Sequence, residues 1–286
     1  MAEHFAQPPN WQWYITLYFY LAGIAGGSYV LATILRWRGG AGDERLARVG
    51  YTLAFPLVVV CGALLTIDLG QPMRFWHMMI DTTPGAAGLN FKYWSPISLG
   101  TWALLLFSLF SFLSFVMSWK LNRDQNYAQP PGYAKVINVL GSIVGLFLAS
   151  YTGVVLSVSN QPVWSDSWVI GALFVASGLS AAAAAIAWLG RSQAGPGEAR
   201  LSVADGYFAL LELVALIVFF ITLSMAGTLG LTFRGIYWLL WILVVLSLIP
   251  PLRNLSGGRA PSALVPIVVL VGVLLMRIAV IFSAQY

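Results

Sequence analysis

The sequence predicts an all-α integral membrane protein with eight transmembrane helices and both termini outside. Three observations predict it. Of 286 residues, 59% are hydrophobic and only 9% charged, against about 25% charged in a soluble domain. The apolar residues fall into continuous runs of roughly the 20 residues that span a bilayer core as helix. Lysine and arginine are distributed unevenly between alternate links.

The runs, in order, are 13–35, 50–69, 93–118, 135–157, 168–190, 206–230, 233–249 and 262–284. Together they make one transmembrane domain over 1–286. The first follows MAEHFAQPPN, which has no Lys or Arg and holds His4, so it reads as a helix and not as a cleaved signal peptide. The second ends in TIDLGQPMRFWHM. The link after it, 71–92, carries Pro72, Pro84, Gly85 and Gly88 and reads as an irregular cap. The third, fourth, fifth, sixth and eighth are long enough to cross. The seventh is short and reads as ending at Pro250-Pro251. Helix is preferred to strand because unpaired backbone groups are costly in lipid and the runs do not alternate. The stretch RSQAGPGEAR, 191–200, reads as the one linker-like link.

Links 1–2, 3–4, 5–6 and 7–8 hold Arg36, Arg38, Arg45, Arg48, Lys120, Arg123, Lys135, Arg191, Arg200, Arg253 and Arg259. The other side holds Arg74, Lys92 and Arg234. The positive-inside rule puts the first group in the cytoplasm. Trp11, Trp13, Trp76, Trp94, Trp164 and Trp168 then read as an outer aromatic belt, and Trp37, Trp119 and Trp188 as an inner one. The net charge of +5 follows this topology and does not indicate nucleic acid. Cys61 is the single cysteine, which excludes an intrachain disulfide and a cysteine-held iron–sulfur cluster.

Small residues mark close helix contacts: Gly23 and Gly27, Gly141 and Gly145, and the run Ala181 to Ala185. The few polar residues within the spans are the chemical candidates. Asp68 reads either as a carboxylate paired with Arg74 or as a proton acceptor at a site opening outward. His77 reads as a surface residue or as a proton exchanger near neutral pH. With His77 at the outer boundary and His4 in the N-terminal tail, no histidine lies inside a span, and bis-histidine haem is not expected. Tyr151 either packs its ring or offers its hydroxyl to a ligand carbonyl, with Ser150, Thr152, Ser157 and Ser159 nearby in sequence. Glu212, with Asp205 two turns below, is a structural acid or a step in a proton path. Arg277 within the last span calls for structural pairing. No P-loop, Rossmann glycine pattern, HExxH, CxxC or catalytic triad occurs, so no metal site is expected in this chain.

Three stretches, WQWYITLYFYLAGIAGGSY, DLGQPMRFW and YTGVVLSVSNQPVW, resemble the NrfD/PsrC family of membrane subunits of polysulfide reductase and related molybdenum or multihaem respiratory complexes. The resemblance spans essentially the whole chain. It implies two four-helix bundles in a bacterial or archaeal cytoplasmic membrane. It implies a quinone-reactive anchor, taking menaquinone or ubiquinone, with no redox centre of its own. It implies an iron–sulfur partner on the outer face and a catalytic molybdenum or multihaem subunit beyond. The pocket candidates are then Asp68 and Tyr151, with Arg74 and His77 at the mouth and Gly23, Gly26 and Gly27 beside the ring. Asp205, Glu212 and Arg277 remain candidates for a proton path. The alternative readings are a secondary ion-coupled transporter built on those three residues, and a purely structural anchor.

Overall fold

The structure, a computed structural model, describes residues 11–85, 87–123, 132–191, 196–256 and 264–285. His4 and Arg259 lie outside the described residues. Helix α1 runs Trp13–Arg38 and stops at Gly39, whose φ of 76° lets the backbone turn and return its N–H to the carbonyl of Arg36. Helix α2, Ala41–Asp68, starts well before the apolar run at residue 50. Asp43 and Glu44 in its first turn complement the positive end of the helix dipole. The charged stretch read as a link is therefore helix.

Gly70, at φ 69°, breaks the chain after α2. The link to α3 is ordered by a 3-10 helix, Pro72–Met78, and by an antiparallel pair, β1 Ile80–Asp81 with β2 Gly88–Leu89. Then come α3 Pro96–Arg123, α4 Tyr133–Ser157, α5 Ile170–Gly190, α6 Pro196–Ala226, the single turn α7 Leu229–Thr232, α8 Tyr237–Arg253 and α9 Val265–Ser283. Residues 196–200, read as linker, belong to α6. Helix α8 continues through Pro250 and Pro251 to Arg253 and passes into a 3-10 turn, Asn254–Ser256. Neither proline has an N–H to return to the carbonyls of Leu246 and Ser247, so the helix carries both at a cost just before it ends.

Seven of these helices, α1 to α6 and α9, are long and apolar enough to cross a membrane. Helix α8 is apolar but has 17 residues. The protein is thus a multi-pass, all-α membrane protein. Helices α1, α2, α3 and α4 close one ring of neighbours, and α5, α6, α8 and α9 close another. The rings meet where α1 packs on α5. Small residues allow this approach. A side chain at Gly27 would collide with the carbonyl of Gly178 and with Ala182, and one at Gly26 with the carbonyl of Gly145.

Trp164 departs from the belt reading. It is fully buried, stacks on Trp11 at 4.9 Å and donates its indole N–H to the carbonyl of Val280 at 2.8 Å. Burial suits an indole only where its N–H finds an acceptor, and α9 supplies one. Trp13, Trp94 and Trp168, and at the other end Trp37, Trp119 and Trp188, are exposed.

Candidate functional site

The 3-10 helix after α2 carries Arg74 and His77 into a crevice of about 450 Å³, walled by Leu69, Asn90, Lys92, Ile97 and Ser98 among others. The His77 ring stacks on Trp76 with centroids 3.8 Å apart, and its Nδ1 lies 3.3 Å from the carbonyl of Arg74. Asn90 fastens this link to α3. Its amide donates to the carbonyl of His77 at 3.1 Å, and its own carbonyl accepts from Trp102 Nε1 at 3.2 Å. Arg74, His77 and Lys92 make the lining rich in donors. Near it, Asp81 accepts from the hydroxyl of Thr83 at 2.6 Å and its N–H at 2.9 Å, and these bonds hold its carboxyl below the usual carboxylate range.

Tyr151 lies just below the wall of the crevice. Its ring stacks on Phe147 at 5.9 Å and occupies the space beside Gly100, two residues beyond Ser98 on α3. Tyr18 of α1 faces both Tyr151 and Cys61. Asp68 is exposed at the end of α2 and forms no ion pair with Arg74 among the described residues. It adjoins Leu69 in the chain but does not line the crevice. Ser150, Thr152 and Ser159 donate to carbonyls of Phe147, Ala149 and Leu156. Ser157 bonds the carbonyls of Gly153 and Ser167. These hydroxyls therefore serve the local backbone.

The second group of candidates lies apart from the crevice. Arg277 is fully buried, with its guanidinium 3.5 Å over the Phe174 ring and Nη2 donating to the carbonyl of Phe174 at 2.9 Å. Gly23 leaves room for it: a side chain there would touch Arg277 Nη2 and Gly178. Glu212 is 1% exposed and faces Arg277 and Asp205. Its Oε2 and Arg277 Nε have no hydrogen-bond partner among the described residues. Asp205 accepts from the hydroxyl of Ser180 at 2.6 Å and lines a small cavity of about 20 Å³ with Glu198 and Asn254. Gly23 and Gly27 thus face α5, while Gly26 faces α4.

Sequence reasoning did not find the ion pairs at the other end of α1. Glu44 bonds Arg36 twice, at 2.8 and 2.9 Å, and Arg48 once, at 3.1 Å. Arg48 also donates to the carbonyl of Leu121 on α3, and Arg200 of α6 pairs with Asp43 at 2.5 Å. Above this cluster, Thr33 bonds Tyr51 and Ser142, and Tyr29 bonds Ser114, which bonds Asn138. The i,i+4 spacing of Glu44 and Arg48 was the available signal.

A family model described as "Polysulphide reductase, NrfD" matches residues 2–286. The chain belongs to this NrfD family. NrfD relatives include a polysulfide reductase polypeptide of Wolinella succinogenes, 25% identical over 96% of this chain and 94% of that protein. Protein NrfD of Escherichia coli is also 25% identical, over 96% and 95%. A tetrathionate reductase subunit of Salmonella typhimurium is 27% identical over 57% of this chain and 45% of its own length. The NrfD match covers both rings of helices, so the crevice and the buried Arg277 lie within the shared region.

Proposed function

We propose that this chain is the quinone-reactive membrane subunit of a multisubunit respiratory reductase in a bacterial or archaeal cytoplasmic membrane. It crosses eight times, with both termini outside, because α8 spans a locally thinned bilayer. The relatives named as parts of polysulfide and tetrathionate reductases support a reductase complex. The observation that carries the quinone reading is the crevice of about 450 Å³ beside Arg74 and His77, with Tyr151 beneath its α3 wall. Its size suits a small ring, ligand pockets being about 300–1,000 Å³. Leu69, Met78 and Ile97 offer it apolar contact, and the cationic side chains offer donors to ring oxygens.

A quinol bound there supplies two electrons and two protons. Arg74 and Lys92 hold the ring oxygen at the mouth, and Tyr151, packed beside Gly100, backs the α3 wall on which the ring lies. Asp68 and His77 take protons toward the water they face. The electrons pass to a ferredoxin-like iron–sulfur subunit docked over the 71–92 link, and on to a catalytic molybdenum or multihaem subunit. On the other side of α1, Asp205, Glu212 and Arg277 offer a path for coupled protons. Their burial and the unpartnered Glu212 Oε2 support that role.

The test is quinol-driven reduction of the partner's clusters in the purified complex. Asp68→Asn is expected to slow it roughly 100-fold, and Tyr151→Ala, which removes the ring backing the α3 wall, about tenfold through misplacement of the bound ring. Unchanged rates in both would remove the assignment. Substrate uptake by the isolated chain in proteoliposomes would favour a transporter instead.

A further inference from the structure

The crevice is a wedge, and Asn90 stands at its apex. The β1–β2 ladder pairs Asp81 with Gly88 and Ile80 with Leu89, and the N–H of Asn90 extends it by one bond to the carbonyl of Met79 at 2.8 Å. Beyond that bond the two segments part. Arg74, His77 and Met78 line one side of the opening, and Lys92, Ile97 and Ser98 the other. The Asn90 side chain reaches across it, and its Nδ2 donates to the carbonyl of His77 at 3.1 Å. Among the described residues, both hydrogen bonds that run from 90–98 to 69–79 therefore come from Asn90. They satisfy carbonyls at the end of the 3-10 helix, where a helix leaves its last acceptors without internal partners. The third bond of Asn90 faces the other way. Its carbonyl accepts from Trp102 Nε1 of α3 at 3.2 Å, and the Trp102 ring meets Phe91 edge to face at 6.1 Å.

One residue thus ties the turn that carries Arg74 and His77 to the start of α3. We propose that Asn90 is the positioning residue of the crevice: its amide sets the gap between the Arg74–His77 turn and the α3 wall, and so how closely a flat ring is held between them. This role rests on the quinone reading. The position calls for a neutral side chain that donates. A carboxylate there would turn an acceptor toward the His77 carbonyl, and an apolar side chain would leave that carbonyl unbonded. Without the amide the wedge opens. The ring is then held less well in the ground state and during electron transfer alike, so the loss falls on KM and not on kcat.

The experiment is steady-state oxidation of decylubiquinol and of menadiol by the purified complex, read as reduction of the partner's clusters. Asn90→Leu keeps the size and neutrality of the side chain and removes the amide. KM is expected to rise about tenfold, with kcat changed less than about twofold. Trp102→Phe keeps a ring and removes the donor to the Asn90 carbonyl, and should raise KM in the same direction. Thr83→Ala removes a bond from the same link without touching the crevice, and should leave KM unchanged. An equal rise in Thr83→Ala would overturn the positioning role, as would an unchanged KM in Asn90→Leu and Trp102→Phe while Asp68→Asn is slow. In either case the quinone reading stands. Unchanged rates in Asp68→Asn and Tyr151→Ala as well would overturn both.

Discussion

The ring of Tyr151 fills the space that a side chain on Gly100 would need. The pair joins α4 to α3 immediately below the cationic crevice. Any side chain at 100 must push the ring away, and the phenol is then aimed elsewhere. Gly100→Ala is expected to cost about 1–3 kcal/mol through overpacking and to lower quinol-driven turnover, measured as thermal stability and rate on the same preparation. Gly62→Ala, on α2 where a Cβ meets nothing within 4 Å, is the matched control. It should keep full turnover and leave stability equal or slightly higher, alanine being the better helix former by up to about 1 kcal/mol.

Glu44 stands between two arginines, with side-chain exposures of 4% for Glu44, 5% for Arg36 and 9% for Arg48. At that burial the loss of one partner strands the others. Glu44→Gln is therefore expected to destabilise the chain by roughly 3–5 kcal/mol, seen as a lowered midpoint of thermal unfolding in detergent. Removing Arg36 as well, as in Arg36→Met with Glu44→Leu, leaves only Arg48 without its carboxylate and should cost less than Glu44→Gln, which strands both arginines. The reverse order would mean that the ion pair itself, and not the stranded charge, sets stability.

Asp81 gives the 71–92 link a response to acid pH. Its carboxyl titrates below the usual carboxylate range because Thr83 donates two hydrogen bonds to the charged form. A group whose folded value is depressed stabilises above its unfolded value, about 3.9 for Asp, and that stability fades as pH falls through the folded value. Hydrogen exchange at the Thr83 amide, corrected for intrinsic rate, should stay protected at about pH 4 and lose protection only as pH falls further, through the depressed folded value. Asp81→Asn should make the protection independent of pH over this range.

Much of the fold was legible along the chain. Runs such as 93–118 and 135–157 became α3 and α4 because lipid leaves an apolar segment few alternatives to a helix. The DLGQPMRFW stretch announced a break, and Gly70 and Pro72 made it. The candidate site was legible only by residue type. Arg74 and His77 do share one crevice, but Asp68 stands beside it unpaired and Tyr151 lies behind its wall. The belt reading fails at Trp164 because an indole in a link looks interfacial until the carbonyl of Val280, 116 positions away, is brought to its N–H.

By itself the sequence determined what each segment had to be: local hydrophobicity, turn chemistry and charge asymmetry act over neighbouring residues and need no partner. Only the tertiary structure decided which groups meet. Arg36 with Glu44 and Arg48, Arg277 with Phe174, and Tyr151 with Gly100 are chosen by helix packing, where small residues let backbones approach and buried polar atoms accept only those neighbours that satisfy them.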